Sequence, residues 1–162
     1  MRLNKLIVLK NNAIVREVTF KDGLNLIVNK RTSGKDSGNS LGKSTLSRVL
    51  DYLFMSSGND IYHDAEFGKD IPEIVSLIND NILRFTLDFN TVENKKAIIS
   101  RTISTDEKNS KYYLSDIEVD KKQYYDFIAQ AVFGLTTDKP SLRNVSHKFI
   151  RNTNEKMQKT LN

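Results

Sequence analysis

Two stretches, Leu24-Asn25-Leu26-Ile27-Val28 and Gly38-Asn39-Ser40-Leu41-Gly42-Lys43-Ser44-Thr45, decide the fold predicted for this chain. The first is a short, nearly continuous apolar run, which is typical of a strand buried on both faces of a sheet. Residues 29–41 are polar, contain glycine and show no periodicity, so they indicate a loop. After Gly42 the apolar residues recur with a helical period, at Leu46, Val49, Leu50, Leu53 and Phe54. The sequence therefore predicts a strand that runs through a glycine-containing loop into a helix.

The end of this loop carries the residue types that hold nucleotide phosphates. A phosphate site needs oriented backbone N–H groups, a helix N-terminus, a lysine and a hydroxyl. In the P-loop (Walker A) pattern G-x-x-x-x-G-K-[ST], Gly42 lets the backbone approach the phosphates and Lys43 reaches the β- and γ-phosphates. Ser44 is the expected Mg²⁺ ligand, and Thr45 adds contacts near the α-phosphate.

One position departs from the pattern, because Ser37 stands where its first glycine is expected and Gly38 follows one residue later. In an alternative interpretation the glycines only form a turn and Lys43 lies on the surface. A lysine at a helix N-terminus opposes the helix dipole, so that alternative leaves Lys43 unexplained. We therefore predict an ATP and Mg²⁺ site with Ser44 as the metal ligand and no catalytic residue, formed by Ser37, Gly38, Asn39, Ser40, Leu41, Gly42, Lys43, Ser44 and Thr45.

The stretches that flank this region are predicted to be antiparallel strands. Residues 3–9 and 13–20 are rich in β-forming residues and are separated by Asn11-Asn12, a pair that tolerates the positive φ of a tight hairpin. Residues 82–89 alternate apolar and polar side chains, which indicates a half-buried strand. Residues 97–103 and 111–114 are predicted as two further strands joined by a polar turn.

Two other regions complete the prediction. Residues 55–69 are polar and rich in turn-forming residues, so we expect an exposed connection with the helix stop at residues 57–60. Asp120 precedes a second run with helical spacing, and Gly134 is placed to end that helix.

Composition places the chain among ordinary globular proteins of one domain. It has 162 residues, no cysteine, and no apolar run near the roughly 20 residues that span a bilayer. We therefore expect no membrane association and a cytoplasmic location. The net charge of +5 arises at the two ends of the chain, which are basic. Contact with nucleic acid is one explanation for these basic ends, and simple solvation by water is the other.

The residues Phe20–Val28 and Asn39–Leu46 resemble the opening of SMC-like and RecF-like ABC ATPases, over about the first third of the chain. Within that group, residues 34–44 are most similar to bacterial coiled-coil ABC proteins of three-component systems, which also lack the first glycine. The resemblance implies an α/β P-loop NTPase fold, with a mixed sheet and an antiparallel subsheet. Residues 1–140 would form the N-terminal lobe of the ATPase head, and residues 141–162 a basic helical segment leading toward an absent coiled coil.

The same resemblance implies the partners and the activity. The chain would bind ATP·Mg²⁺ and pair with the C-terminal half of the head or with a second head in a dimer. It would serve a DNA-related system of defence or maintenance, with DNA as a further partner. The signature motif, the Walker B carboxylates and the switch histidine of the family are absent, so we expect binding with almost no hydrolysis by this chain alone.

Two alternative functions belong to other classes of protein. The first is a non-enzymatic module that binds nucleic acid or protein and keeps the fold with a degenerate P-loop. A small P-loop kinase would need a substrate base and an arginine-bearing lid, and neither is visible in the sequence.

Several other candidate residues are predicted to be structural or solvated. The Q-loop glutamine of the family should fall within residues 145–151, but His147 and Arg151 are the candidate residues there instead. We expect both of these side chains to be exposed. A metal site at His63 with Asp60, Asp64 and Glu66 is not favoured, because these residues lie in a turn-rich loop. In Tyr112-Tyr113 and Tyr124-Tyr125, we expect one buried and one exposed ring in each pair.

Overall fold

The computed structural model describes residues 1–25, 43–64, 67–136 and 140–149, with only the backbone described for residues 43, 44 and 147–149. The strands are β1 (Arg2–Lys10), β2 (Ala13–Thr19), β3 (His63–Asp64), β4 (Lys69–Asp70), β5 (Leu83–Asn90), β6 (Lys96–Ile103), β7 (Tyr112–Leu114) and β8 (Ile117–Val119). The helices are α1 (Lys43–Leu53), α2 (Asn59–Tyr62), α3 (Pro72–Asp80), α4 (Lys121–Phe133) and α5 (Leu142–Phe149), and Glu107–Asn109 forms a 3₁₀ turn.

Six of the strands form one sheet in the order β2-β1-β5-β6-β7-β8, and β3 pairs with β4 separately. Every pairing within this described sheet is antiparallel. The chain therefore combines helices with an antiparallel sheet, which agrees with the predicted α/β class at its coarsest level. The resemblance implied a mixed sheet, and the sequence separately predicted a strand over residues 24–28. Leu24 and Asn25 lie outside the strands, with Leu24 exposed, and residues 26–28 lie outside the described part of the chain.

The hairpin that joins β1 to β2 has the predicted turn. Asn11 and Asn12 have φ angles of 50° and 67°, the left-handed conformation that a two-residue hairpin requires at both positions. The side chain of Asn11 also anchors this turn, because its Oδ1 accepts the Ile82 N–H at 2.8 Å. A second turn of the same kind, at Ser115 and Asp116, joins β7 to β8 and was not predicted.

The predicted alternation of β5 is confirmed. Leu83, Phe85, Leu87 and Phe89 are buried, and the residues between them are only partly buried. Helices α1 and α4 cover this face: the Tyr52 ring meets Phe85 edge-on at 6.0 Å, and the Tyr124 ring lies 5.2 Å from that of Tyr112. The core therefore lies between one face of the sheet and these two helices.

Both predicted helices form, and α4 has both of its expected ends. In α1, Val49, Leu53 and the following Phe54 are buried, while Leu46 and Leu50 pack against the core as partly buried residues. Helix α4 begins with a capping box, in which the Asp120 side chain accepts the Gln123 N–H and the Gln123 side chain accepts the Asp120 N–H. It ends at Gly134, whose φ of 64° is the left-handed conformation predicted there.

The connection after α1 was predicted correctly only in part. Helix α1 ends at Leu53, before the residues expected to stop it, and two of those, Asn59 and Asp60, begin the short helix α2. Ile61 and Tyr62 of α2 are buried in the core, whereas residues 67–69 are exposed as expected. A Cβ at Gly58 would lie 3.3 Å from side-chain atoms of both Ile103 and Tyr52, which explains the absence of a larger residue there. Helix α3 was not predicted.

Candidate functional site

The described part of α1 begins at Lys43 and belongs to the helix that the sequence predicts after Gly42. Of the predicted site residues, Ser37 to Gly42 lie outside the described part of the chain. The backbones of Lys43 and Ser44 form the first turn of α1, and Thr45 is exposed beside them. The structure thus brings the last three residues of the predicted site together on one helix end.

The electrostatic character of this helix end favours an anion. The first N–H groups of a helix have no intrahelical acceptor, and the helix dipole adds a partial positive charge there. The first turn of α1 contains no Asp or Glu that would neutralise this charge. The one acidic residue of α1, Asp51, lies in its C-terminal half and pairs with Arg143.

Tyr52 attaches α1 to the sheet. Its hydroxyl donates to the Thr102 carbonyl at 2.6 Å and lies 3.2 Å from Ser110 Oγ. Burial raises the pKa of the Tyr52 hydroxyl to about 12, so the group remains a proton donor through the neutral range. The sheet therefore restrains the rotation of α1 about its own axis.

Arg101 of β6 holds the C-terminal end of α1. Its Nη1 donates to the carbonyls of Tyr52 at 2.9 Å and Ser56 at 2.8 Å. The Tyr52 carbonyl also accepts the Met55 N–H at 3.1 Å. Its guanidinium carbon lies 3.8 Å from the Tyr52 ring centroid and 4.9 Å from that of Tyr112. The side chain is 0% exposed. Its Nε has no hydrogen-bond partner among the described residues.

Arg101 was not predicted from the sequence, although a signal was present. Arg101 follows Ala97 and Ile99 in the inward register of β6, where a charged residue is unusual. A lone charge at such a position indicates a buried partner, since an uncompensated buried charge is costly.

Glu107 supplies the negative charge nearest to Arg101. Its Oε1 lies 3.5 Å from Arg101 Nη2 and accepts a hydrogen bond from Lys121 Nζ at 2.8 Å. This hydrogen bond from Lys121 holds the pKa of Glu107 below its ordinary value. The neighbouring Asp106 accepts the Lys108 N–H and so caps the 3₁₀ turn. Asp106 and Glu107 therefore both have structural partners.

A second polar contact joins α1 to α5. The Asp51 carboxylate accepts from Arg143 Nη1 at 2.7 Å, and the two side chains are 4% and 37% exposed. Helix α5 also attaches to α4, because the Leu142 N–H donates to the Tyr125 hydroxyl at 3.2 Å. Neither contact was anticipated from the sequence.

The remaining candidates were predicted to be structural, and most can be compared with the structure. His63 Nδ1 lies 2.7 Å from Asp70 Oδ1, and within the described ranges no group of three potential ligands could hold a metal ion. Glu66, the side chain of His147 and the whole of Arg151 lie outside what is described.

Each tyrosine pair divides as predicted. Tyr112 and Tyr124 are buried, while their neighbours Tyr113 and Tyr125 are partly exposed. The buried rings belong to the core described above, so they are not available to stack on a base.

The chain matches no protein-family model, and a comparison with curated proteins finds no match either. Where the chain is described, none of its helices combines the length and apolar character needed to cross a membrane.

Proposed function

We propose that this chain binds ATP with Mg²⁺ at the N-terminal end of α1, as the N-terminal lobe of an ABC-type ATPase head. The observation that carries the proposal is that Lys43, Ser44 and Thr45 lie in the first described turn of α1, a helix whose C-terminal half is packed in the core. The lack of an acidic residue in that turn supports it further.

The roles of the residues follow from the motif. The loop Ser37 to Gly42 and the first N–H groups of α1 would surround the phosphates, and Lys43 would neutralise charge on the β- and γ-phosphates. The Ser44 hydroxyl would ligate Mg²⁺. Helix α1 supplies a fixed platform for these groups, because Tyr52 and Arg101 hold it against the sheet.

The assignment to an ABC-type head rests on the resemblance of residues 20–28 and 39–46, together with an antiparallel sheet whose strands precede and follow α1. Such a lobe would be cytoplasmic. It would pair with the C-terminal half of the head or with a second head, and it would act in a DNA-related system.

The proposed activity is nucleotide binding with little turnover. Phosphoryl transfer to water needs a group that positions and activates the water, and in this family the Walker B carboxylates belong to the second half of the head. Hydrolysis is therefore expected only when a separately expressed C-terminal half is added.

Titration calorimetry with ATP·Mg²⁺ tests the proposal on the wild-type chain and on Lys43→Ala. A charge-assisted hydrogen bond contributes about 1.5–3 kcal/mol, so the variant should bind about tenfold to a hundredfold more weakly. Lys69→Ala, at an exposed position on β4, is the matched control and should bind as the wild type does. Equal affinity of the wild type and Lys43→Ala would refute the P-loop assignment. DNA binding that is steeply salt-dependent and insensitive to ATP would favour the non-enzymatic interaction module.

A further inference from the structure

The loop that follows β2 contains Asp22-Gly23, which is the only Asp-Gly or Asn-Gly pair in the sequence. The side-chain carboxyl of an aspartate lies close to the backbone nitrogen of the next residue, and attack by that nitrogen closes a five-membered imide ring. A Cβ on the next residue crowds the nitrogen and hinders the attack. Glycine has no Cβ, so ring closure meets the least hindrance at this pair.

The structure leaves both reacting groups accessible. The Asp22 side chain is 74% exposed. Gly23 has a φ of 81°, and a Cβ built on it would meet no atom within 4 Å, so the space around it is open. Within the described part of the chain, the Gly23 N–H has no hydrogen-bond acceptor. The nitrogen that must lose its proton is therefore not held by a hydrogen bond.

One side chain restrains this loop. The Asn25 Oδ1 accepts the Lys21 N–H at 2.8 Å, and the Asn25 Nδ2 donates to the carbonyls of Lys21 at 2.8 Å and Gly23 at 3.2 Å. These hydrogen bonds span Asp22 and hold the peptide unit that must turn for the attack. All three are exposed to water, and a loop held by exposed hydrogen bonds opens at little cost. Asn25 therefore governs how often the Gly23 nitrogen can approach the Asp22 carboxyl.

A second restraint acts on the carboxyl group itself. Arg2 Nε lies 2.7 Å from Asp22 Oδ1, and the two side chains are 55% and 74% exposed. A carboxylate held by a guanidinium is a poor electrophile, because the ring closes only when an oxygen of the carboxyl leaves as water. An exposed ion pair contributes little free energy, however. Arg2 thus slows ring closure without preventing it.

We propose that Asp22 is a site of spontaneous isomerisation to isoaspartate and that Asn25 controls the rate. The Gly23 nitrogen attacks Cγ of the protonated Asp22 carboxyl, a C–N bond forms, and the hydroxyl leaves as water with the proton of that nitrogen. A water molecule then opens the imide at the main-chain carbonyl of Asp22, so that Gly23 remains attached through Cγ. One water leaves and one is added, so the mass of the chain is unchanged. The inference does not depend on the proposed nucleotide binding.

Isomerisation changes the contacts at the end of the β1–β2 pair. The main chain gains one carbon atom at Asp22, within the segment that the Asn25 hydrogen bonds span. The carboxyl that pairs with Arg2 becomes part of the main chain, and the new free carboxyl stands on Cα. Next to this loop, the Phe20 N–H donates to the Asn4 carbonyl at 2.8 Å. We therefore expect faster hydrogen exchange of the Phe20 amide in the isomerised chain.

Storage of the folded chain in mildly acidic buffer tests the proposal. A methyltransferase specific for isoaspartate should label the stored chain, and an endoproteinase that cuts before aspartate should cease to cut before residue 22. In Asn25→Ala the isoaspartate should form about twofold to tenfold faster, which corresponds to the loss of one ordinary hydrogen bond.

Asp22→Glu is the matched control. It keeps a carboxylate opposite Arg2, but its imide ring would have six members and would close far more slowly. This variant should show no modification at residue 22.

The pair Asn109-Ser110 separates local control from a general loss of stability. Ser110 is buried, so global unfolding would expose this pair to the same chemistry. In Asn25→Ala the rate should rise at residue 22 alone; an equal rise at Asn109, or an unchanged rate at residue 22, would refute the control by Asn25. The urea-unfolded chain gives the intrinsic rate. Isoaspartate at residue 22 in the unfolded chain, with none in the folded wild type, would overturn the proposal.

Discussion

The guanidinium of Arg101 stacks on the ring of Tyr52 at 3.8 Å and donates to the carbonyl of the same residue at 2.9 Å. Tyr52 in turn donates its hydroxyl to the carbonyl of Thr102, the residue that follows Arg101 in β6. These reciprocal contacts join the last turns of α1 to one strand of the sheet. The proposed phosphate site lies at the other end of α1. The stability of that site therefore depends on contacts made away from the ligand.

Replacement of Arg101 by Met should destabilise the fold by about 1–3 kcal/mol, because the Ser56 carbonyl would lose its donor and an unsatisfied buried group costs about that much. The Tyr52 carbonyl would keep the Met55 N–H as a donor. Urea unfolding followed by circular dichroism measures the change. Arg16→Met, at an exposed position on the edge strand β2, is the control and should stay within about 0.5 kcal/mol of the wild type. Equal stability of Arg101→Met and the wild type would show that the end of α1 does not depend on this side chain.

Tyr52→Phe should change how stability depends on alkaline pH. The folded state holds the Tyr52 proton up to a pKa of about 12, whereas the unfolded chain releases it near the ordinary value of 10.0. Stability is therefore fully present below pH 10 and falls as the pH rises from 10 toward 12. Tyr52→Phe should lower stability at pH 8 by about 0.5–1.5 kcal/mol, through loss of the hydrogen bond to Thr102, and should also reduce the alkaline decline.

Unfolding midpoints in urea at pH 8, 10 and 11 provide the measurement for Tyr52. Tyr113→Phe, at a partly exposed ring, is the matched control and should follow the wild-type pH dependence. If the stability of Tyr52→Phe fell with alkaline pH as much as that of the wild type, the Tyr52 hydroxyl would not be the group responsible for the fall.

Asp120→Ala should destabilise α4 by about 1 kcal/mol, because the Gln123 N–H loses its acceptor and the capping box is broken. Chemical denaturation gives the total change, and hydrogen exchange of the first turn of α4 localises it. Asp126→Ala removes an exposed carboxylate from the same helix and should lower the free energy of unfolding by less, within about 0.5 kcal/mol. If both variants lost the same stability, the cap would have no specific role.

Much of the secondary structure could be predicted because its signals are local. The alternation in residues 82–89, the helical period after Gly42 and the end of α4 at Gly134 each depend on residues close together in the chain. Helix α2 was missed because Ile61 and Tyr62 are its only buried residues, too few for a visible period, and because Gly58 beside them resembles a turn.

Of the predicted site, the helix that carries Lys43, Ser44 and Thr45 is present in the structure. Residues Ser37 to Gly42 lie outside the described ranges. Arg101 and the Asp51–Arg143 pair were missed because each contact depends on which faces of distant elements meet.

The sequence by itself determined the helix over residues 43–53, the tight turn at Asn11-Asn12 and the inward face of β5, because backbone preference and periodicity act over a few neighbouring residues. The tertiary structure alone decided that β1 pairs with β5 and that Arg101 closes the end of α1. It also decided that Asp51 meets Arg143, 92 residues further along the chain. These contacts form because burying the apolar faces of distant segments brings their polar groups together, and polar groups removed from water must then find partners in one another.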